Sequence, residues 1–402
     1  MTLLITPAST AAIASIGWAD AARQKAFNAW LQAAASAHAL DISSLRLASA
    51  DASFRRYFRI DRYPAGSCII MDAPPDKEDC QAFVKVAGLM TETGLPAPRV
   101  LAWDAAAGFM LLSDLGAQTM MDVIAPPVAI NAIAKPTAAH HALYVQAIDA
   151  LVRWQLSSKP DVLPPYDDAL LSRELALFPD WYVAQHRNFA MNAAQQATLD
   201  DAFKHIKANN LQSLGGAQVF VHRDYMARNL MATVAPKLVA SLTSLPSEGA
   251  PFPEGGPSEN IMSMPPAAYG LGILDFQDAV YGPITYDIAS LMRDAFLTWE
   301  EDFVLDITVR YWQQARKAGL PVGDDFGEFY RAVEWMGLQR HLKILGIFAR
   351  LTLRDGKPKY LADTPRFIKY VRATAARYRQ LGPLMVLLDA IEGNETRVGY
   401  TF

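Results

Sequence analysis

The stretch VFVHRDYMARNLM, residues Val219–Met231, decides how the fold is interpreted. Its apolar beginning predicts a strand that ends at a His-Arg-Asp triplet, and Asn229 follows Asp224 by five positions. The later stretch GILDFQDAVYGPITYDIASL, residues Gly272–Leu291, also opens on a short apolar run, which ends at Asp275. Phosphoryl transfer requires a carboxylate beside the attacking hydroxyl, and an Asn and an Asp that hold Mg²⁺ on a triphosphate. The two stretches therefore supply the three polar residues that such a reaction needs.

Each of these residues also has a simpler interpretation when it is considered alone. Asp224 could cap a turn, Asn229 could satisfy one, and His222 could be a packed histidine. The combination is harder to explain in this way, because three polar residues stand at the required offsets after apolar runs. We therefore favour the catalytic interpretation. Asp287, at the start of a helical pattern, is expected to cap that helix or to support the catalytic loop from a buried position.

Composition excludes several classes of protein. Of the 402 residues, 51% are apolar and 19% are charged, which excludes a globally disordered chain. The net charge is -4, whereas a dedicated nucleic-acid binder is typically strongly basic, so we expect no nucleic-acid partner. Two cysteines, Cys68 and Cys80, are too few for a disulfide framework or a Cys-rich zinc site. We expect them to be reduced thiols in the cytoplasm.

The beginning of the chain does not resemble a targeting or membrane segment. The stretch Met1–Gly17 is apolar and rich in Ala and Ser, but no basic residue precedes its apolar run. It is also shorter than the roughly 20 residues that a membrane-spanning helix needs. We therefore expect no membrane association and a cytoplasmic location.

Hydrophobic periodicity predicts an α+β fold with a small mixed lobe at residues 1–113 and a larger, mostly helical lobe at 114–402. The small lobe opens with a helix from Trp18 to His38 and then combines five strands with one inserted helix. The predicted strands are Leu45–Leu47, Arg55–Asp61, Cys68–Met71, Arg99–Trp103 and Gly108–Ser113, with the helix at about Lys77–Glu92. Within the larger lobe, residues 236–270 carry 7 Pro and 4 Gly, which predicts a flexible surface insert.

With these motifs in place, the chain resembles the aminoglycoside phosphotransferase branch of the protein-kinase-like superfamily, from about Leu45 to the last helices. Within that branch, six strings are most similar to the anomeric sugar kinases of cell-wall recycling. The strings are SADASFRRYFRID, MDAPPDKEDC, SDLG, HRDYMARNLM, LDFQDAVYGPITYD and QRHLKILGIFARL. The resemblance implies a two-lobe kinase fold with an antiparallel sheet in the small lobe.

The resemblance also implies an activity. Enzymes of this group use ATP to phosphorylate the C1 hydroxyl of N-acetylmuramate and N-acetylglucosamine, and a separate nucleotidyltransferase uses the product in a bypass of a fosfomycin-sensitive step. By this resemblance Asp224 would be the catalytic base, Asn229 and Asp275 would hold Mg²⁺, and His222 and Asp287 would support the loop. ATP and Mg²⁺ are the implied cofactors, and a small sugar is the implied partner.

The nucleotide side departs from the family pattern. The loop at Ser53 lacks the glycines that let a kinase backbone close over phosphates, and Met71 stands where a phosphate-pairing Lys is expected. Either Mg²⁺ holds the phosphates or an arginine substitutes for the Lys. Arg55 and Arg56 are the candidates, because a strand directs adjacent side chains to opposite faces, and we predict Arg56. Ser53 is predicted to contact ATP as well.

The string LLSDLG, residues 111–116, predicts a connector whose backbone could hydrogen-bond an adenine ring. We therefore expect ATP contacts from Ser113, Asp114 and Leu115, although a plain turn after a strand explains the string equally well.

The sequence gives fewer indications of which residues contact the sugar. Gln277 and Asp278 follow Asp275 and could reach a sugar hydroxyl, and Arg340 begins a basic group that could meet a carboxylate. A solvated helix edge is the alternative for Arg340, His341 and Lys343.

Two other functions remain open from the sequence. An aminoglycoside or small-alcohol phosphotransferase would use the acidic run 300–302 as a wall for a polycation, although a helix start explains that run as well. A weakly catalytic nucleotide-binding scaffold would explain the missing Lys and the missing Gly-rich loop.

Overall fold

The computed structural model describes residues 17–18, 20–50, 55–124, 135–232 and 271–394, and these residues belong to two compact units. The first unit runs to Gln118 and also includes residues 231–232 and 271–278. The second includes residues 119–230 and 279–394. The sequence division at 113/114 did not anticipate that the segment with Asp275 returns to the first unit. Ser53 and the insert 236–270 lie outside the described residues.

A helix and a five-stranded antiparallel sheet form most of the first unit. Helix α1 spans Ala21–His38, and the carboxylate of Asp20 accepts the N–H of Ala22 at 2.8 Å as its N-cap. The strands are β1 (Leu40–Ala50), β2 (Arg56–Arg62), β3 (Ser67–Asp72), β4 (Val100–Asp104) and β5 (Phe109–Ser113), in the order β1-β2-β3-β5-β4. Helix α2 (Gln81–Glu92) connects β3 to β4. The predicted strands and inserted helix are therefore present in the predicted order.

One face of this sheet packs against α1. Phe58, Phe109 and Leu111 form a buried cluster with Phe27 and Leu31 of the helix. Period-two alternation in the strands and the apolar stripe of the helix explain this layer, because each places its large side chains on one side. The helix at the beginning of the described chain is thus part of the core of the first unit.

A two-stranded ribbon completes the first unit. Strand β7 (Leu230–Ala232) pairs with β8 (Leu271–Ile273). The N–H of Ile273 donates to the carbonyl of Pro96 at 2.7 Å. A Cβ on Gly272 would come within 2.8 Å of Leu115, so only glycine permits this close approach.

Helices dominate the second unit. They are α3 (Met120–Ile124), α4 (Ala138–Leu156), α5 (Asp168–Leu177), which continues as a π-helical segment over Phe178–His186, α6 (Ala193–Gln212), α7 (Thr285–Met292), α8 (Glu301–Lys317), α9 (Phe326–Leu353), α10 (Thr364–Ala375) and α11 (Gly382–Glu392). Strands β6 (Gln218–Val221) and β9 (Val280–Pro283) form an antiparallel pair. Most of α9 is buried, so this helix forms the centre of the unit. The α+β fold class is confirmed.

Within the described ranges, no helix has both the length and the apolar character that a membrane span requires.

Candidate active site

The loop after β6 contains the His-Arg-Asp triplet. The strand is buried over Val219–Val221, and the chain then turns sharply because Arg223 adopts a φ of 75°, in the left-handed region. Asp224 is half-buried, and its backbone N–H donates to Nδ1 of His222 at 3.3 Å. The turn therefore presents the Asp224 carboxylate just beyond the end of a strand whose last three residues are buried.

Asn229 is joined to Asp224 by a direct hydrogen bond. Its Nδ2 donates to the Asp224 carbonyl oxygen at 2.9 Å, and the side chain is buried. Tyr225 fixes the middle of the loop, because its buried hydroxyl donates to the carbonyl of Ala147 at 2.7 Å. The structure thus brings together two of the three residues that the motif predicted, while Asp275 lies in the first unit.

Two buried carboxylates hold the backbone of the loop on both sides of Asp224. Asp287, in α7, accepts the N–H of His222 at 2.7 Å and the N–H of Arg223 at 3.0 Å. Asp294, seven residues later, accepts the N–H of Ala227 at 3.3 Å. Burial raises the pKa of Asp287 to about 7, although the two backbone N–H groups lower it, and burial also raises the pKa of Asp294.

A second buried group lies behind the loop and is centred on Glu174 of α5. The Glu174 carboxylate accepts from Arg223 at 2.6 Å and from Lys343 at 2.8 Å, and it also accepts from Tyr166 and Gln339. Although burial opposes ionisation, the charges of Lys343 and Arg223 hold the pKa of Glu174 well below its usual range. This carboxylate, which the sequence analysis missed, links α5 and α9 to the loop.

Arg340 lies in the same interior. Its side chain is buried, its Nη1 donates to the Arg223 carbonyl at 2.7 Å, and its guanidinium lies 4.8 Å from the centre of the Tyr286 ring. His341 and Lys343 are buried as well. The solvated helix edge that the sequence left open for this basic group is therefore wrong, and Arg340 contacts the loop backbone.

In the first unit, Asp275 follows β8 and adopts a φ of 63°. It is exposed, and Nε2 of Gln277 donates to its carboxylate at 2.9 Å. Phe276 is buried, with its ring centre 4.9 Å from that of Phe83 in α2. Asp278 is exposed beside them. Apolar packing of Phe276 thus fixes the backbone that carries the Asp275 carboxylate.

Other candidates make contacts within the first unit. The Asp114 carboxylate accepts hydrogen bonds from Arg59 and Ser67, both at 2.6 Å. Although burial raises the pKa of Asp114, these hydrogen bonds outweigh it, and the pKa is lowered. Ser113 accepts the N–H of Arg99 at 2.9 Å, and Leu115 packs on the ribbon.

The acidic run 300–302 of the second unit stands at the start of α8, and Glu301 pairs with Arg293 at 2.7 Å.

The Asp224 loop positions a carboxylate and an amide, and a further Asp follows a separate short strand. These are the residue types that a phosphotransferase of the kinase-like class uses. The family model described as "Phosphotransferase enzyme family" matches residues 44–240 and 259–324, more than half of the chain. The chain belongs to this family, and the expectation of a phosphotransferase is confirmed.

Two relatives extend over most of the chain. Over 385 residues it is 41% identical to the N-acetylmuramate/N-acetylglucosamine kinase of Neisseria meningitidis serogroup B, covering 94% of this chain and 99% of the relative. Over 346 residues it is 43% identical to the protein of the same name from Pseudomonas aeruginosa, covering 86% and 87%. The resemblance drawn from the six strings is therefore confirmed.

Among solved structures, the amicoumacin kinase hAmiN in complex with AMP-PNP, Ca²⁺ and Ami is similar, with a TM-score of 0.51 and 14% identity over 86% of this chain and 93% of that one. The expected protein-kinase-like fold is confirmed.

Proposed function

We propose that this protein is an ATP-dependent sugar kinase that phosphorylates the anomeric C1 hydroxyl of N-acetylmuramate, N-acetylglucosamine or both. The observation that carries the proposal is the 41% identity to a kinase that is named for these two sugars, over 99% of the length of that kinase. The choice of the C1 hydroxyl rests on the six strings of the sequence. The near-neutral charge of the chain is consistent with a small sugar as acceptor.

In this mechanism Asp224 orients the sugar hydroxyl and accepts its proton as the hydroxyl oxygen bonds to the γ-phosphorus of ATP. The bond between that phosphorus and the β–γ bridging oxygen breaks in the same transfer, and ADP leaves with the electron pair. His222 and Asn229 hold the Asp224 backbone through the hydrogen bonds at 3.3 and 2.9 Å. Asp287 and Asp294 hold the loop on either side, so that the carboxylate needs no rearrangement when the substrate binds.

Asn229 and Asp275 are the proposed ligands of Mg²⁺, which would neutralise charge on the phosphates. Their chemistry fits this ion. The amide nitrogen of Asn229 donates to the carbonyl of Asp224, so the amide oxygen is the atom that would bind the ion. Asp275 presents an exposed carboxylate. Oxygen ligands from one or two protein side chains, completed by phosphates, are typical for Mg²⁺.

ADP release with N-acetylmuramate, N-acetylglucosamine, glucose and kanamycin as acceptors tests the proposal. We expect turnover with one or both N-acetyl sugars and little with the other two. Turnover confined to kanamycin would support the aminoglycoside alternative, and no turnover with any acceptor would support the nucleotide-binding scaffold. A cytoplasmic location and a nucleotidyltransferase that uses the sugar 1-phosphate are further parts of the proposal.

A further inference from the structure

The nucleotide side of the first unit raises the question of which cation contacts the phosphates. Kinases place a Lys on the third strand of the sheet for this purpose. Here β3 carries Met71, which is fully buried and uncharged. The register pairs Met71 with Tyr57 and pairs Asp72 with Arg56, so consecutive residues of β2 and β3 lie on opposite faces of the sheet.

Arg56 lies on the face that α1 covers. It donates to Oδ2 of the buried Asp72 at 2.5 Å, while Arg23 of α1 donates to Oδ1 of the same carboxylate at 2.6 Å. The guanidinium also lies 3.8 Å from the centre of the Trp18 ring. Arg56 therefore joins the helix to the sheet, and these contacts argue against the phosphate role that the sequence analysis assigned to it.

Arg55 precedes β2 and follows the same alternation, which places it on the face of Tyr57 and Met71. Its Nε and Nη2 both donate to Oε2 of Glu78, at 3.1 and 2.8 Å. The two side chains are only 13% and 15% exposed, so this ion pair is shielded from solvent and held in one geometry. The Tyr57 side chain also hydrogen-bonds Arg55. Because a guanidinium has five donors in a planar fork, it can bind the carboxylate, this second side chain and a phosphate at the same time.

Helix α2 connects this pair to the proposed Mg²⁺ ligand. Glu78 lies three residues before α2, and Phe83 in its first turn packs on Phe276, the neighbour of Asp275. Because Glu78 leads directly into the helix that packs on Phe276, the Arg55 partner and the Phe276 contact belong to one continuous segment of the first unit, residues 78–83. We propose that Arg55, fixed by Glu78, binds the phosphates of the nucleotide in place of the strand-borne Lys. This inference rests on the proposed function.

Arg55 and Arg56 are adjacent in the sequence but lie on opposite faces of the sheet, so the Arg56 variant is a matched control for the Arg55 variant. We expect Arg55→Gln to raise the KM for ATP by about 10-fold or more, because the charge-assisted hydrogen bonds to the phosphates would be lost. Arg55→Lys, which keeps the charge without the fork, should recover part of that loss. Arg56→Gln should lower the melting temperature and change this KM less than about 2-fold. The exposed Arg46 on β1 supplies the neutral control, Arg46→Gln.

Direct binding separates this inference from the proposed function. MgATP and adenosine are titrated against each folded variant by calorimetry, with no sugar present. We expect Arg55→Gln to weaken MgATP alone and to leave adenosine unchanged. If folded Arg55→Gln binds MgATP like the wild type, the assignment is wrong, whether or not any sugar is phosphorylated. If Arg55→Gln does not fold, the same titrations are made with Arg55→Lys and Glu78→Gln. An MgATP affinity equal to the wild type in both variants would also overturn the proposal.

Discussion

The loop around Asp224 and the segment around Asp275 carry the same kind of residue in contrasting surroundings. The loop is held by buried polar groups, because Asp287 and Asp294 accept its N–H groups and Arg340 donates to one of its carbonyls. Asp275 is exposed and has left-handed backbone geometry. The contrast indicates that the proposed base, Asp224, depends on electrostatic positioning in the interior, whereas the proposed metal ligand, Asp275, depends on apolar packing of its neighbour.

The largest effect is expected at Asp224, the proposed base. Asp224→Asn keeps the shape of the side chain but cannot accept the proton, so kcat should fall by about 10²–10⁴-fold. The melting temperature should change little, because Asp224 is only half-buried. Steady-state ADP release with N-acetylmuramate measures the change, and Asp201→Asn on the exposed side of α6 is the control. Full activity in Asp224→Asn would exclude the mechanism.

Asp275→Ala should come next, with kcat lowered by about 100-fold, since a bound metal contributes several kcal/mol to a transition state. The free energy of unfolding should fall by only about 1 kcal/mol, because the side chain is exposed, although Ala tolerates the left-handed backbone less well than Asp. A titration of activity with Mg²⁺ checks the role, because the variant should need a higher concentration. An unchanged Mg²⁺ requirement would remove Asp275 from the metal site.

Asp287→Ala should show the opposite balance, with a large loss of stability alongside the loss of activity. Two buried N–H groups would lose their acceptor, at a cost of about 2–4 kcal/mol in the free energy of unfolding. Urea denaturation measures that cost. Stability equal to the wild type would show that the loop does not depend on this carboxylate.

The smallest effect concerns pH and the buried His341. Burial, with the charge of Arg293, lowers the pKa of His341 to about 3, so it is neutral in the folded protein. In the unfolded chain it takes up a proton below about pH 6.5, and stability is therefore lost as the pH falls from 6.5 toward 3. Between pH 7.5 and 5 we expect His341 to contribute a loss of about 2 kcal/mol, which should be absent in His341→Gln. Parallel pH dependence of urea denaturation in the two proteins would contradict this.

Much of the fold could be predicted from periodicity and turn residues. The five strands and the inserted helix appear where alternating or helical patterns predict them, although β1 extends over Leu40–Ala50 rather than Leu45–Leu47, and the second unit is mostly helical as predicted. The return of residues 271–278 to the first unit could not be predicted, because it depends on tertiary contacts such as that of Gly272 with Leu115.

The supporting residues of the site were harder to find. Glu174 belongs to no sequence motif. The one indication in the sequence is its helical spacing from Leu171 and Leu175, which places it on the buried stripe of α5. Asp294 follows Asp287 by seven residues but lies beyond the end of α7 at Met292, so helical spacing in the sequence could not place it beside the loop. The faces of Arg55 and Arg56 needed the register of β2 and the position of α1, and local alternation alone could not supply these.

The position of the phosphate on the product tests the central claim most directly. After turnover of N-acetylmuramate or N-acetylglucosamine with ATP and Mg²⁺, proton-coupled phosphorus NMR shows which carbon carries the new ester. We predict a resonance coupled to the anomeric proton, as expected for a sugar 1-phosphate. A phosphate on any other hydroxyl of the sugar would contradict the account.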